Sequence, residues 1–384
     1  MVIKGGLVFE ADRGFYKREL FISGDRIVAE KPALGEASRM EPNINAEGCY
    51  VIPGLLDIHF HGCVGYDFCD GTQEAIEKIA RYELENGITG INPATMTLDE
   101  ENLLQIVRTA AAYKRAEETE SRLLAELLGI NMEGPFISEA KKGAQNPAFI
   151  HKPDKGMFDR LQKASEGLIR VCVVAPEEPG AMEFIESCCK EVVVSVAHTA
   201  ADYDTAKEAF ARGAKQVTHL YNGMPPFSHR SPGVIGAAFD SDCRVELICD
   251  GVHVHPSAIR ATFKMFGDER IILISDSMMA TGKPDGQYAL GGLAVTVKGN
   301  KATLTEGGAI AGSVTNLMDC LRYTVKIAGI PLESAVKCAT VNPAKAIGVF
   351  DEYGSLEPGK YADVVILDQD FNIKTIIKKG NIVK

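Results

Sequence analysis

Residues 51–62 read Val51-Ile52-Pro53-Gly54-Leu55-Leu56-Asp57-Ile58-His59-Phe60-His61-Gly62. A short, nearly continuous apolar run ends in two histidines at i and i+2, followed by a glycine. A run of this length without polar alternation predicts a strand buried on both faces, over residues 55–61. Side chains two apart on a strand point to the same side, so both imidazoles are expected to project together.

The same style recurs downstream. Apolar runs at 88–93, 125–133, 168–175, 192–198, 215–219, 245–250 and 271–276 also predict buried strands. Helical patterns lie between most of them, at 74–86, 100–116, 182–190 and 203–212. Gly87 and Gly213 stand just past two of these, where a helix commonly stops. Buried strands alternating with amphipathic helices imply parallel strands covered on both sides. Eight strands are the number that closes a (β/α)8 TIM-like barrel. A doubly wound open sheet competes, but no G-x-G-x-x-G follows a strand.

Both ends of the chain have a different character. Residues 2–9 and 20–28 are rich in β-formers, with a turn expected at Gly24-Asp25. Residues 362–367 predict a strand and 373–383 a hairpin around Lys379-Gly380-Asn381. Chain termini often lie close together, so the two ends are expected to form one small β-sandwich domain, 1–52 with 350–384, beside a barrel over 53–349.

Polar residues collect at the ends of the predicted strands. His59 and His61 end the first, Glu133 the third, His198 the fifth, His219 the sixth and Asp276 the eighth. The C-terminal ends of barrel strands open on one face, so these distant residues are expected to converge there. Imidazole and carboxylate together suit a divalent transition metal. Asp276 leaves its strand at the barrel mouth, where a carboxylate can move a proton between water and a leaving group. Two loops add recognition groups. One is Tyr221-Asn222-Gly223-Met224-Pro225-Pro226-Phe227-Ser228-His229-Arg230, in which Arg230 offers a forked cation for phosphate or carboxylate. The other is Asp250-Gly251-Val252-His253. His151 and His255 are expected at the surface.

Composition narrows the partners. Lys and Arg total 41 against 52 Asp and Glu, a net charge of −11 that repels nucleic-acid phosphates. A small phosphorylated substrate remains compatible, since it needs only one or two well-placed cations. No apolar run reaches the ~18 residues that span a bilayer. The start of the chain has no apolar core of the kind a secretory signal carries, so a cytoplasmic protein is expected. The ten Cys contain no C-x-x-C pair and read as reduced packing residues. Zero Trp argues against a carbohydrate-binding module, whose sugar platforms rely on large aromatic faces.

The first-strand stretch resembles the corresponding motif of the amidohydrolase superfamily. Gly354-Ser355-Leu356-Glu357-Pro358-Gly359-Lys360-Tyr361-Ala362-Asp363 resembles that superfamily's return into its small β-domain. More narrowly, five segments are similar to the N-acetylglucosamine-6-phosphate deacetylases: Met132-Glu133-Gly134-Pro135-Phe136, Ala197-His198-Thr199, Val217-Thr218-His219-Leu220-Tyr221-Asn222, Ser275-Asp276-Ser277-Met278 and Ile310-Ala311-Gly312-Ser313. The motifs occur in the family's order and run nearly end to end. The resemblance implies metal-dependent removal of an acetyl group from N-acetylglucosamine 6-phosphate, in amino-sugar catabolism and cell-wall sugar recycling. It implies Glu133, His198 and His219 as ligands of zinc or iron. Retained His59 and His61 allow a second ion, so one or two per subunit. Asp276 is implied as the acid/base. Ala144, Gln145, Asn222, Gly223, Arg230, His253, Ile310, Ala311 and Gly312 fall on substrate positions, with Arg230 and His253 at the phosphate. A homodimer is implied, with some contacts crossing its interface.

The sequence departs from the family at Gln145, where many relatives carry His, and at Tyr221 and Gly223, where Phe and Ala are commoner. A deacetylase for the galactosamine epimer remains open. A cyclic-amide hydrolase is disfavoured, because a Glu stands where a carboxylated Lys would bridge two metals. A non-catalytic scaffold would have lost ligands, and each of them is present.

Overall fold

The computed structural model describes residues 1–30, 43–119 and 122–384. Its centre is a curled parallel sheet. Leu55–Asp57 pairs in parallel with Ile88–Ile91, which pairs with Glu126–Leu127. A second run of parallel strands follows in chain order: Ile130–Met132, Ile169–Val174, Val193–Val196, Gln216–Val217, Arg244–Ile248 and Ile271–Ile274. The two runs are joined by a parallel bridge between Ala94 and Asn131. At the other edge the curl brings the last strand back to the first. The Asp276 amide donates to the His59 carbonyl at 3.0 Å, and the His61 amide to the Ser277 carbonyl at 2.7 Å.

The predicted strands are shorter in the structure. The first ends at Asp57, because the chain from His59 onward bonds to the exit of the last strand instead of extending its ladder. The third is split at Leu128-Gly129 into Glu126–Leu127 and Ile130–Met132.

Helices cover the outside. Gln73–Glu85 is capped by Thr72, whose hydroxyl accepts from the Ala75 amide at 3.2 Å. It buries Ala75, Ile76, Ile79, Ala80 and Leu84, spaced as a helix face requires. Each buried Ile or Leu contributes about 1.5–3 kcal/mol over leaving it exposed. Gly87 follows with φ 82°, the left-handed conformation that ends the helix at low steric cost.

The two termini meet in one six-stranded sheet. Tyr50–Pro53 pairs antiparallel with Val364–Leu367 and in parallel with Leu7–Glu10. A four-stranded sheet, ordered Arg26–Val28, Leu20–Ser23, Val2–Lys4 and Asn43–Asn45, shares a core with it through Ile3, Val8, Leu20, Val51 and Val364.

Among the elements that the sequence reading did not name, one bears on the site. Gly286–Leu290, Leu293–Lys298 and Lys301–Leu304 form an antiparallel meander after the last parallel strand. Its Val295 and Val297 pack with Met96, Ala144 and Met278, which sets residues 309–312 over the C-terminal ends of the strands.

Candidate active site

A cavity of about 270 Å³ opens at those strand ends. His61, Glu133, His198, His219 and Asp276 line it, with Gly143, Ala144, Gln145, Asn222, Gly223, His253, Ile310 and Gly312 around them. The convergence follows from local backbone geometry. His198, His219 and Asp276 have φ of 43°, 30° and 50°, values that side chains other than glycine rarely adopt. Such conformations persist only where surrounding structure enforces them, and they concentrate at functional sites. Each marks a sharp exit from a strand that turns the side chain into the cavity. Glycines make room beside the ligands. A Cβ on Gly62 would lie 2.1 Å from the Tyr66 carbonyl, and one on Gly134 2.1 Å from Thr97 Oγ1.

Two groups of donors face one another. In one, Glu133 Oε1 lies 3.2 Å from His198 Nε2 and 3.0 Å from His219 Nε2, with the two imidazole nitrogens 3.2 Å apart. Four ligands tetrahedrally placed at ~2.0–2.1 Å from one ion are separated by roughly 3.3 Å, so these three atoms are already spaced to share a cation. In the other, His61 Nε2 lies 3.3 Å and His59 Nε2 3.8 Å from Asp276 Oδ1. Glu133 links the groups, with His59 Nε2 3.3 Å from Oε1 and His61 Nε2 3.3 Å from Oε2. His59 Nε2 is buried without a hydrogen-bond partner, as expected of a nitrogen whose lone pair serves a metal. The residues therefore fit a divalent ion in either group.

Acids and imidazoles neutralise one another here. Burial favours neutral Glu133, but the charge on His59 and bonds from His198 and His219 hold its carboxyl well below the usual range. Burial likewise opposes the charge on His61, yet Asp276 and Glu133 raise it to about 10. Asp276 is lowered, against its burial, by its bond to His61 and the charges of His59 and His61. A divalent cation brings the same positive charge and must displace imidazole protons, so its binding releases protons.

The residues expected from sequence do not all meet. His59 and His61, Glu133, His198, His219 and Asp276 come together, as do Ala144, Gln145, Asn222, Gly223, His253, Ile310 and Gly312. Ala311 is buried beside them, packed with Met96 and Met278. Arg230 is exposed and does not line the cavity. His151 and His255 are exposed, as expected.

Several supporting contacts escaped the sequence reading, one of them within the loop 250–253 that it singled out. Asp250 Oδ2 accepts from His253 Nδ1 at 2.7 Å and fixes that ring at the cavity edge. Against the penalty of burial, this carboxylate raises the His253 imidazole above its ordinary value. The Lys141 carbonyl accepts from His198 Nδ1 at 3.0 Å, which turns Nε2 toward Glu133. Met96 and Leu290 add apolar wall. Glu246 and Asp57 lie beneath the cavity, each bonded to His59. A carboxylate inside the apolar run Arg244-Val245-Glu246-Leu247-Ile248 was the available signal for Glu246.

Comparison with known proteins agrees with this geometry. The model of the amidohydrolase family matches residues 50–383. An N-acetylglucosamine-6-phosphate deacetylase of Bacillus subtilis is 40% identical over 86% of this chain and 84% of its own. An N-acetylgalactosamine-6-phosphate deacetylase of Escherichia coli O157:H7 is 34% identical over 86% of each chain. Among solved structures, a mutant of the N-acetyl-D-glucosamine-6-phosphate deacetylase of Mycobacterium smegmatis, in complex with N-acetyl-D-glucosamine-6-phosphate, superposes with a TM-score of 0.89 at 33% identity, covering 100% of this chain and 99% of that one. With a family model spanning most of its length and its donor groups gathered at the strand ends, this chain belongs to the amidohydrolase family.

Proposed function

We propose that this protein is a metal-dependent N-acetylglucosamine-6-phosphate deacetylase, releasing acetate and glucosamine 6-phosphate in amino-sugar catabolism and cell-wall sugar recycling. The observation that carries this is the mutual approach of Glu133 Oε1, His198 Nε2 and His219 Nε2, at 3.0–3.2 Å, inside the cavity that Asp276 also faces. The likeness to deacetylases over most of the chain supports the substrate.

Glu133, His198 and His219 would hold zinc or iron, and His59, His61 and Asp276 a second ion. A divalent ion held there would supply Lewis acidity and lower the pKa of a water toward neutrality. Asp276 takes the proton of the attacking water and returns it to the departing sugar nitrogen. Its lowered pKa favours the ionised form that the first transfer requires. His253, locked by Asp250, meets the phosphate with its free nitrogen. Ala144, Gln145, Asn222, Gly223 and the segment 310–312 orient the sugar, so that remote binding positions the amide.

The curled sheet is assigned as a (β/α)8 barrel over 53–349, and the sheets from both termini as a β-sandwich domain, 1–52 with 350–384. Arg230, exposed and outside its own cavity, is assigned to the phosphate of a neighbouring subunit in a homodimer. Among the described residues no helix is long and apolar enough to cross a membrane. We place the enzyme in the cytoplasm, where its ten unpaired cysteines stay reduced.

The likeness to an N-acetylgalactosamine-6-phosphate deacetylase favours a second substrate reading. Acetate release from both 6-phosphorylated epimers and from unphosphorylated N-acetylglucosamine, with metal analysis of the same sample, tests the proposal. Faster turnover of the glucosamine epimer with its phosphate is expected. Preference for the galactosamine epimer transfers the assignment to that sugar, and equal turnover without the phosphate removes the roles given to Arg230 and His253.

A further inference from the structure

Glu246 is wholly buried in the strand Arg244–Ile248 and does not line the cavity. Neither composition nor substrate contact accounts for a carboxylate there, and an unpaired one would be strongly unfavourable. Its oxygens are all engaged. Oε2 accepts from His59 Nδ1 at 2.8 Å and from the His219 amide at 3.2 Å, while Oε1 accepts from Gln216 Nε2 at 2.7 Å. One side chain thus reaches a member of each donor group: the ring of His59 and the backbone of His219.

The bond to His59 has a chemical consequence. A carboxylate accepts only, so Nδ1 carries the proton and a neutral His59 presents a bare lone pair at Nε2. That nitrogen faces Glu133 Oε1 at 3.3 Å and Asp276 Oδ1 at 3.8 Å and has no hydrogen-bond partner. With the ring neutral, three acceptors would face one another, so either a proton on Nε2 or a cation must lie among them, and a cation binds by displacing that proton. The buried carboxylate also raises the basicity of the ring it holds, which strengthens it as a donor to a cation.

We propose that Glu246 is a positioning residue that makes His59 a metal ligand and thereby sets the affinity of the His59, His61 and Asp276 group for a second divalent ion. This rests on the two-ion reading of the site. Glu246 acts through His59 and touches neither substrate nor ion.

The test is titration of the apoprotein with Co(II), followed by its visible spectrum, together with zinc content per chain after dialysis. It compares wild type, Glu246→Gln, His59→Asn and the double variant. Wild type is expected to take two equivalents. Glu246→Gln should keep the first and weaken the second by roughly 10–100-fold. In the His59→Asn background the same change should have no further effect on the second step. Glu246→Asp keeps the charge and withdraws it by one methylene; the same selective loss is expected, which provides a measurable protein if the amide is not accommodated. Equal second-site affinity in wild type and both Glu246 variants overturns the role of Glu246. So does an equal loss with and without His59. A wild-type chain that takes up only one equivalent overturns the two-ion reading beneath it.

Discussion

Gln145 holds Glu133 from behind. Its Nε2 donates to Glu133 Oε2 at 2.9 Å, while its own Oε1 accepts from the Thr97 amide at 2.7 Å. The brace leaves Glu133 Oε1 turned toward three imidazoles. Gln145→Leu keeps the volume and removes the brace. A fall of roughly 10–100-fold in metal affinity, with a parallel loss of kcat, is expected. Zinc retention during dialysis and steady-state kinetics check it; a change confined to KM would return Gln145 to a sugar contact alone.

Asp276→Asn leaves the Glu133, His198 and His219 group intact and removes the proton carrier. Loss of roughly 10²–10⁴-fold in kcat is expected, with the first metal equivalent retained. Turnover of the 6-phosphate substrate and metal content per chain measure both. Near-normal kcat in this variant would end the acid/base assignment.

Gly134→Ala tests the crowding behind Glu133. Its φ of 81° and the 2.1 Å approach to Thr97 Oγ1 leave no room for a methyl group. Overpacking of this kind typically costs about 1–3 kcal/mol, and Glu133 must move with its neighbour. A lowered apoprotein unfolding midpoint together with weaker metal retention is expected. An unchanged midpoint would show that the turn relaxes freely.

At the opposite ends of the strands lies a recess of about 570 Å³, where Glu126 is held by cations. Its carboxylate lies 2.9 Å from Lys114, 2.7 Å from Lys379 and 3.7 Å from Lys378, and it accepts from Tyr353 Oη at 2.8 Å. Burial works to raise its pKa, but Lys378, Lys114 and Lys379 outweigh it and hold the group well below the carboxylate range. A carboxylate depressed on folding stabilises fully above its unfolded pKa, about 4.3, and loses that contribution as pH falls toward the folded value. Denaturant midpoints should therefore fall progressively as pH drops below about 4.3. Glu126→Gln should be less stable near pH 7 by about 3 kcal/mol and show a shallower acid slope. Parallel slopes for the two proteins would remove Glu126 from the acid response.

Much of the site was legible because a curled parallel sheet turns strand order into proximity. His59, His61, Glu133, His198, His219 and Asp276 could be read as one constellation from their places at the ends of apolar runs. The meander over 286–304 was not, since its alternation competes with loop signals and its packing on Met96 is long-range. Strand ends were over-extended for a related reason. Periodicity marks what is buried, whereas the ladder stops at Asp57 because His59 and His61 bond across the closure.

The sequence by itself determined the chemistry: which side chains can bind a cation, which can carry a proton, and the alternation of strand and helix that delivers them to one face. These follow from residue type and spacing, which are local. Tertiary structure alone decided the orientation of those groups. Glu246 meets His59 across 187 positions of chain, and Gln145 meets Thr97 across 48. The completed fold sets both contacts, and no local propensity encodes a hydrogen bond between segments so far apart. Arg230 makes the same point from outside the cavity: its residue type suits a phosphate, yet the completed fold leaves it exposed and away from the lining.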